Sequence, residues 1–209
     1  MKKYKLTEET KHIGFGTLYR ICAIRDFGDV KAGDMGGWIE SEKNLSHEGN
    51  AWVYDNARVS GDALVCGNAR VFGDAEVCGN AEVRDNALVC GDAEVRDNAL
   101  VCGNAKVCGD AKVRDNALVC GNAKVHGNAE VCGDAQVCGA NDWVEINNIG
   151  SRNSVTTFYR NKDKGISVSC GCFSGTLEEF VKAVKETHGD NQYAKEYMAA
   201  IELAKARIL

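Results

Sequence analysis

Gly49-Asn50-Ala51-Trp52-Val53-Tyr54-Asp55-Asn56-Ala57-Arg58-Val59-Ser60 opens a run of six-residue units that continues without a gap to Cys138. Each unit reads Gly or Asp, Asn or Asp, Ala, any residue, Val, any residue. Alanine returns every sixth position from Ala51 to Ala135, and valine from Val53 to Val137. A period this strict predicts a solenoid. Ala, one residue and Val make a short strand with both apolar groups on one face, because alternate strand residues share a face. The Gly-Asn, Gly-Asp and Asp-Asn pairs supply corners, since Gly tolerates positive φ and Asn or Asp tolerates it better than other residues. Three strand-and-corner units close a triangular coil of about 18 residues, giving about five regular coils stacked roughly 4.8 Å apart. Val should fill the axis, and small Ala should let the walls approach near the corners. Asn98 and Asn104 are candidate left-handed corner residues.

The placing of Val53 and Ala57, an aliphatic residue followed four positions later by a small one, resembles the hexapeptide repeat of left-handed parallel β-helix proteins. One difference is that Gly here comes one residue later than in that repeat, after Tyr54, Ser60, Cys66, Phe72 or Arg84. The period alone accepts either hand, and the resemblance favours the left-handed one. The expected fold is mainly β, a three-sided parallel β-helix with an N-terminal β cap and a C-terminal hairpin-plus-two-helix unit.

Residues 1–48 read as a cap with an irregular first coil. Leu18 to Ile24 alternates as a strand, and Gly28 to Ile39 suits the irregular coil. A cap is expected because a solenoid otherwise leaves an unpaired edge at its end. Residues 49–149 form the solenoid, with Asn141 to Ile146 closing it. Residues 150–209 form a ββαα unit. Ser154–Tyr159 and Gly165–Cys172 make a hairpin. A helix starts at Thr176 with Glu179 completing a capping box, and Gly189 ends it. A second helix is capped by Asp190 and carries Tyr193, Tyr197, Met198, Ile201 and Leu203.

The net charge of −5 lies entirely on the solenoid, where residues 49–139 carry 8 basic and 13 acidic side chains, while the flanking segments balance. A duplex-binding protein would show a basic stripe, so direct nucleic-acid binding through the walls is disfavoured. No apolar stretch is long enough to span a membrane, and the first residues do not read as a signal peptide. A cytoplasmic protein of a bacterial host is expected.

Asp29-Val30-Lys31-Ala32-Gly33, Gly36-Gly37-Trp38-Ile39, Leu45-Ser46 and Trp52-Val53-Tyr54-Asp55 resemble the opening of uncharacterised bacterial and phage-borne hexapeptide proteins, often labelled acyltransferases or polymer-forming proteins. The segment from Gly150-Ser151-Arg152 to His188-Gly189-Asp190-Asn191 resembles phage and prophage proteins of gut Gram-positive bacteria. The expected function is a non-enzymatic scaffold that works by binding another macromolecule; the resemblance implies a phage or prophage association and, with it, a role such as inhibiting a host defence protein. The alternatives are an acyl-CoA-dependent acyltransferase and a self-assembling structural protein.

Hexapeptide acyl transfer, as the resemblance implies it, needs a histidine base near a subunit groove and a loop forming an acceptor pocket. His126 is the candidate, being the one histidine within the regular coils. The competing reading is an outer-corner residue facing solvent. No insertion interrupts the coils. A zinc site of three histidines facing one another across subunits cannot be assembled from His47 and His126.

Eight of the 11 cysteines recur in the variable slot after Val. Cys66, Cys102, Cys120 and Cys138 share one column, and Cys90 and Cys108 another. At about 4.8 Å between rungs, parallel Cβ vectors hold Cβ atoms farther apart than the roughly 3.8 Å a disulfide prefers. Reduced thiols are therefore expected. Cys170, Cys172 and His188 form a candidate zinc cluster lacking a fourth ligand; buried thiols in a hairpin are the competing reading. No cofactor is expected.

Outward Leu64, Leu100 and Leu118, beside Cys102 and Cys120, form a modest apolar wall. With Tyr193 and Tyr197 of the last helix they make the candidate interaction surface. A closed homo-oligomer, dimer or trimer, is expected through this wall or the C-terminal helices.

Overall fold

The computed structural model describes residues 1–14 and 16–209. Fifteen two-residue strands, from Trp52–Val53 to Gln136–Val137, follow one another along the chain. Each pairs in parallel with the strand 18 residues away, as Val95 does with both Val77 and Val113. The result is a three-sided parallel solenoid of about six turns. One face also contains the strand Met35–Ile39, which belongs to the irregular first coil. There Trp38 aligns with Arg58 and Leu45 with Val65, a spacing of 20 residues instead of 18.

The repeat Ala and Val side chains point inward and are buried from end to end; Val53 to Val137 are all 0% exposed. The corners differ from expectation by one residue. The first residue of every unit, Gly or Asp, takes positive φ; Asp97 is at 61° and Gly103 at 69°. Asn98 and Asn104 do not sit in the left-handed region. They occupy the second corner position, where their amides stack. Asn50, Asn68, Asn86, Asn104 and Asn122 form one continuous ladder, each Nδ2 donating to the next Oδ1 at 3.1–3.2 Å. Asn80, Asn98 and Asn116 form a second, ending on Asp134. The third corner carries Asp74, Asp92 and Asp110 in the equivalent slot, and a carboxylate cannot donate the next bond. The aspartates that do take positive φ make a different contact: the carboxylate of Asp85 accepts from the Gly103 N–H of the next coil at 3.0 Å.

Antiparallel strands Tyr4–Ile13 and Gly16–Ala23 extend the face that contains Met35–Ile39. Lys3 and Tyr4, both 0% exposed, close the first coil. Lys3 Nζ donates to the carbonyls of Glu48, Gly49 and Ala51 at 3.4, 3.3 and 2.8 Å and lies 4.9 Å from the Phe27 ring centre. Burial, then the nearby Arg25 charge, pushes its pKa down to about 8. Tyr4 donates to the Leu45 carbonyl at 2.8 Å.

At the other end Trp143–Ile149 does not complete a coil. It is the edge of a four-stranded antiparallel sheet with Ser154–Arg160, Ile166–Cys170 and Phe173–Thr176. This sheet lies across the last coil: Glu130 N donates to Thr157 Oγ1 at 3.1 Å, Ser169 Oγ to Glu130 Oε2 at 3.0 Å, and Lys162 N to the Asp134 carbonyl at 3.0 Å. Helices α1 (Leu177–His188) and α2 (Gln192–Ile208) pack on its other face over Phe158, Ile166 and Val168. Thr176 and Glu179 form the expected capping box and Gly189 ends α1. Asn191, not Asp190, caps α2, accepting from Ala194 N at 3.1 Å. Among the described residues no helix is long and apolar enough to cross a membrane.

Candidate functional site

His126 follows the rung Lys124–Val125, and the corner at Gly127 turns its side chain to the outside of the stack, where it is exposed. The chain leaves the solenoid after Val137 and returns past the same corner as the strand Trp143–Ile149. Trp143 meets the imidazole edge-on, with ring centres 5.2 Å apart at 79°. α2 then brings Arg207 back to this strand, where its guanidinium donates to the carbonyls of Trp143 and Ala140 at 3.2 and 3.1 Å. The space between is an open cleft of about 550 Å³ lined by Lys124, His126, Trp143, Glu145, Asn147 and Arg207. It combines an imidazole, two cations, one carboxylate and an aromatic wall. Such a cleft can hold a ligand with acidic and planar apolar parts, and it offers His126 as an acceptor for a proton. The cleft is a tertiary product. Arg207 lies 64 and 67 residues from the carbonyls it clamps, and nothing in the hexapeptide pattern signals it.

Cys170, Cys172 and His188 line one smaller cavity of about 220 Å³ with Arg152, Phe180 and Tyr197, but they turn to separate partners. Thr156 Oγ1 lies 3.2 Å from Cys170 Sγ, and Arg152 Nη1 lies 3.7 Å from Cys172 Sγ. The His188 ring stacks on Tyr197 at 5.8 Å. Among the described residues no group of three or more His, Cys, Asp or Glu is arranged to hold a metal ion. The turn at Gly171 lies between the two thiols, and the imidazole stacks on Tyr197.

Leu100 and Leu118 are direct neighbours on one wall, and Glu82 separates them from Leu64. All three leucines are half-buried. Tyr193 is 42% exposed, whereas Tyr197 is 5% exposed and packs its ring against Phe180. Burial pushes the Tyr197 phenol up to about 12. Tyr197 is therefore core, not surface.

The expectation of thiols throughout the columns is also corrected. Cys90 is bonded to Cys108, and Cys120 to Cys138. The Cα atoms are 4.7 and 4.4 Å apart, within the range a disulfide spans, so the assumption that failed is that of parallel Cβ vectors. Cys66, Cys78 and Cys102 remain free, and burial raises the pKa of all three. Cys132 is buried beneath the C-terminal sheet, 3.0 Å from the Tyr159 hydroxyl.

Two comparisons bear on identity. A family model described as the YdcK β-solenoid repeat matches residues 51–67. Over 68 residues the chain is 44% identical to a protein of Escherichia coli (strain K12) named "Uncharacterized acetyltransferase YdcK"; the match covers 29% of this chain and 21% of that protein. The chain thus spans about a fifth of that relative's length.

Proposed function

We propose that this chain is a β-solenoid binding protein that acts by contact with another macromolecule, using the cleft between its last coils and its C-terminal helix. The observation that carries this reading is the continuity of the stack. Fifteen rungs follow one another with no inserted loop, so the outward residues form flat, rigid walls. The cleft lies where the C-terminal unit returns to those walls. Lys124, Arg207, Glu145 and Trp143 give that cleft mixed charge and an aromatic surface, a composition suited to a protein segment with acidic and aromatic side chains. The partner we propose is a host protein met in the bacterial cytoplasm, in keeping with the phage-type resemblance of the C-terminal segment. The test is affinity capture from host lysate with the parent and with Lys124→Glu/Arg207→Glu. A protein held by the parent and lost from the variant supports the reading, and identical capture by both refutes it.

A second reading, acyl transfer with His126 as base, is favoured by the acetyltransferase name of the matched relative and by His126 lining the same cleft. Calorimetry with acetyl-CoA separates the two. Saturable binding that His126→Asn leaves intact, together with acyl transfer that it abolishes, would establish the second reading. No heat of binding would remove it.

A further inference from the structure

Cys90, Cys108 and His126 occupy successive rungs of one outer column. Leu88 pairs with Lys106 and Val89 with Val107, and these pair in turn with Lys124 and Val125. The backbone N–H of Cys90 donates to Val107 O at 2.9 Å, and that of Cys108 to Val125 O at 3.0 Å. The register holds through the following corner, where a Cβ on Gly109 would meet Gly127 O at 3.0 Å. In this register Cys108 stands one coil from its disulfide partner Cys90 on one side and one coil from His126 on the other. Cys90 has Phe72 as its other neighbour in the column, an apolar ring. The two sulfurs of this disulfide thus have unlike surroundings, and both cysteines are half-exposed.

We propose that Cys90, Cys108 and His126 form a thiol–disulfide exchange site for a low-molecular-weight thiol and its disulfide. The thiolate of the small molecule attacks Cys90 Sγ, the Cys90–Cys108 bond breaks, and Cys108 leaves as a thiolate beside the imidazole, which supplies its proton. A second small thiolate attacks the mixed disulfide on Cys90, releasing the small-molecule disulfide and the Cys90 thiolate. Two electrons pass from two small thiols to the protein disulfide, and the reverse sequence restores it. Exchange is faster when the leaving thiol is the better-stabilised anion, which assigns Cys108 as the leaving group. His126 also faces the cleft, so a small thiol carrying carboxylates can approach past Lys124 and Arg207.

The second disulfide provides an internal comparison. Beside Cys138 is the Asp142 carboxylate, which accepts from the Cys138 and Gly139 N–H groups at 3.0 and 2.8 Å. That carboxylate is paired with Arg160 Nε at 2.8 Å, and no histidine stands in this column, so the second disulfide differs in lacking an imidazole neighbour. The charged groups around the proposed site are Lys106 and Lys124 on its own wall and Asp92 and Asp110 at the corners after the cysteines. Glu145 and Arg207 join them from the C-terminal strand and helix. This site depends on neither reading of the cleft, because its assay contains no acyl donor and no protein partner.

The test uses the full chain, equilibrated with oxidised glutathione and then challenged with reduced glutathione. Samples are acid-quenched and alkylated, and each cysteine pair is followed by mass spectrometry across pH 6–9. Cys90–Cys108 should open roughly tenfold faster than Cys120–Cys138 at neutral pH, and His126→Asn should slow that opening by about the same factor while leaving Cys120–Cys138 unchanged. Parental melting of the variant shows that it remains folded, as expected for an exposed side chain. Equal opening rates for the two disulfides, an unchanged rate in His126→Asn, or Cys90 and Cys108 remaining thiols after oxidation would each overturn the proposal.

Discussion

Replacing Val95 tests the inward phase of the repeat at its centre. Val95 is 0% exposed and packed between Val77 and Val113 of the adjoining coils. Val95→Ala removes two methyl-sized groups, about 1.6 kcal/mol of transfer energy. The space they leave raises the loss to roughly 2–3 kcal/mol, because neighbours tied by rung hydrogen bonds can collapse only in part. Val95→Asp places a carboxyl group among alanines and valines with no polar partner, costing roughly 3–5 kcal/mol. For a chain of this size each kcal/mol shifts the melting midpoint by about 2–4 °C, so Val95→Ala should melt roughly 4–12 °C below the parent and Val95→Asp lower still. Glu94→Ala is the control. Glu94 precedes Val95 on the same rung, points outward and pairs with Lys112 Nζ at 3.2 Å across a half-exposed surface. Its loss should cost about 0–1 kcal/mol. Circular dichroism melts of the three variants, with both disulfides kept in the same state, decide the matter. A parental midpoint for Val95→Asp, or a larger loss for Glu94→Ala than for Val95→Ala, would refute the assigned core.

Further outcomes are expected elsewhere. At the corner position Asp85, with φ 61°, Asp85→Val should destabilise by roughly 1–3 kcal/mol while Asp85→Gly stays within about 1 kcal/mol of the parent; equal melts would remove the corner assignment. Asn86→Ala breaks the bonds to Asn68 and Asn104 and should cost about 1 kcal/mol, read from the same melts. Because the Lys3 pKa falls to about 8 in the folded chain, the unfolded chain binds more protons between that pH and about 10.4. Lys3 therefore makes stability rise with pH across that window. Urea titrations at pH 7 and 9.5 should show this as a difference in slope between the parent and Lys3→Met, and identical pH dependence in both would refute it. We expect a dimer or trimer by light scattering, which a strictly monomeric parent would refute. Deleting residues 176–209 uncovers Phe158, Ile166 and Val168 and should cause aggregation, so a soluble, monodisperse truncation would count against the covering role of the helices.

The repeat was legible because each of its rules is local. Alternation within three residues sets which side chains point inward, and Gly or Asp in every sixth position sets the turn, so Ala51 to Val137 fall where the pattern puts them. The α1 cap was equally local, since Thr176 and Glu179 need only their own turn of helix. The 18-residue coil also follows from the period, and with it the columns in which Cys108 and His126 are neighbours. What bonds within a column did not follow. Cys90–Cys108 is bonded at an almost ideal spacing of 4.7 Å and Cys120–Cys138 at 4.4 Å, so side-chain direction, which the period does not specify, decides the pairing. The choice of left-handed residue was off by one because Asn and Gly both tolerate the corner; the amide ladders, which need neighbouring coils, hold Asn in the second position.

The sequence by itself thus determined the solenoid, its inward face and the spacing of its corners, since these depend on residues a few positions apart repeated many times, though not which corner residue takes positive φ. Only the tertiary structure decided the ends and the cleft. Lys3 reaches carbonyls 45 to 48 residues away, and Arg207 fixes the path of Trp143 from the far end of the last helix. Contacts of that range depend on where whole elements come to rest, and no period in the chain encodes them.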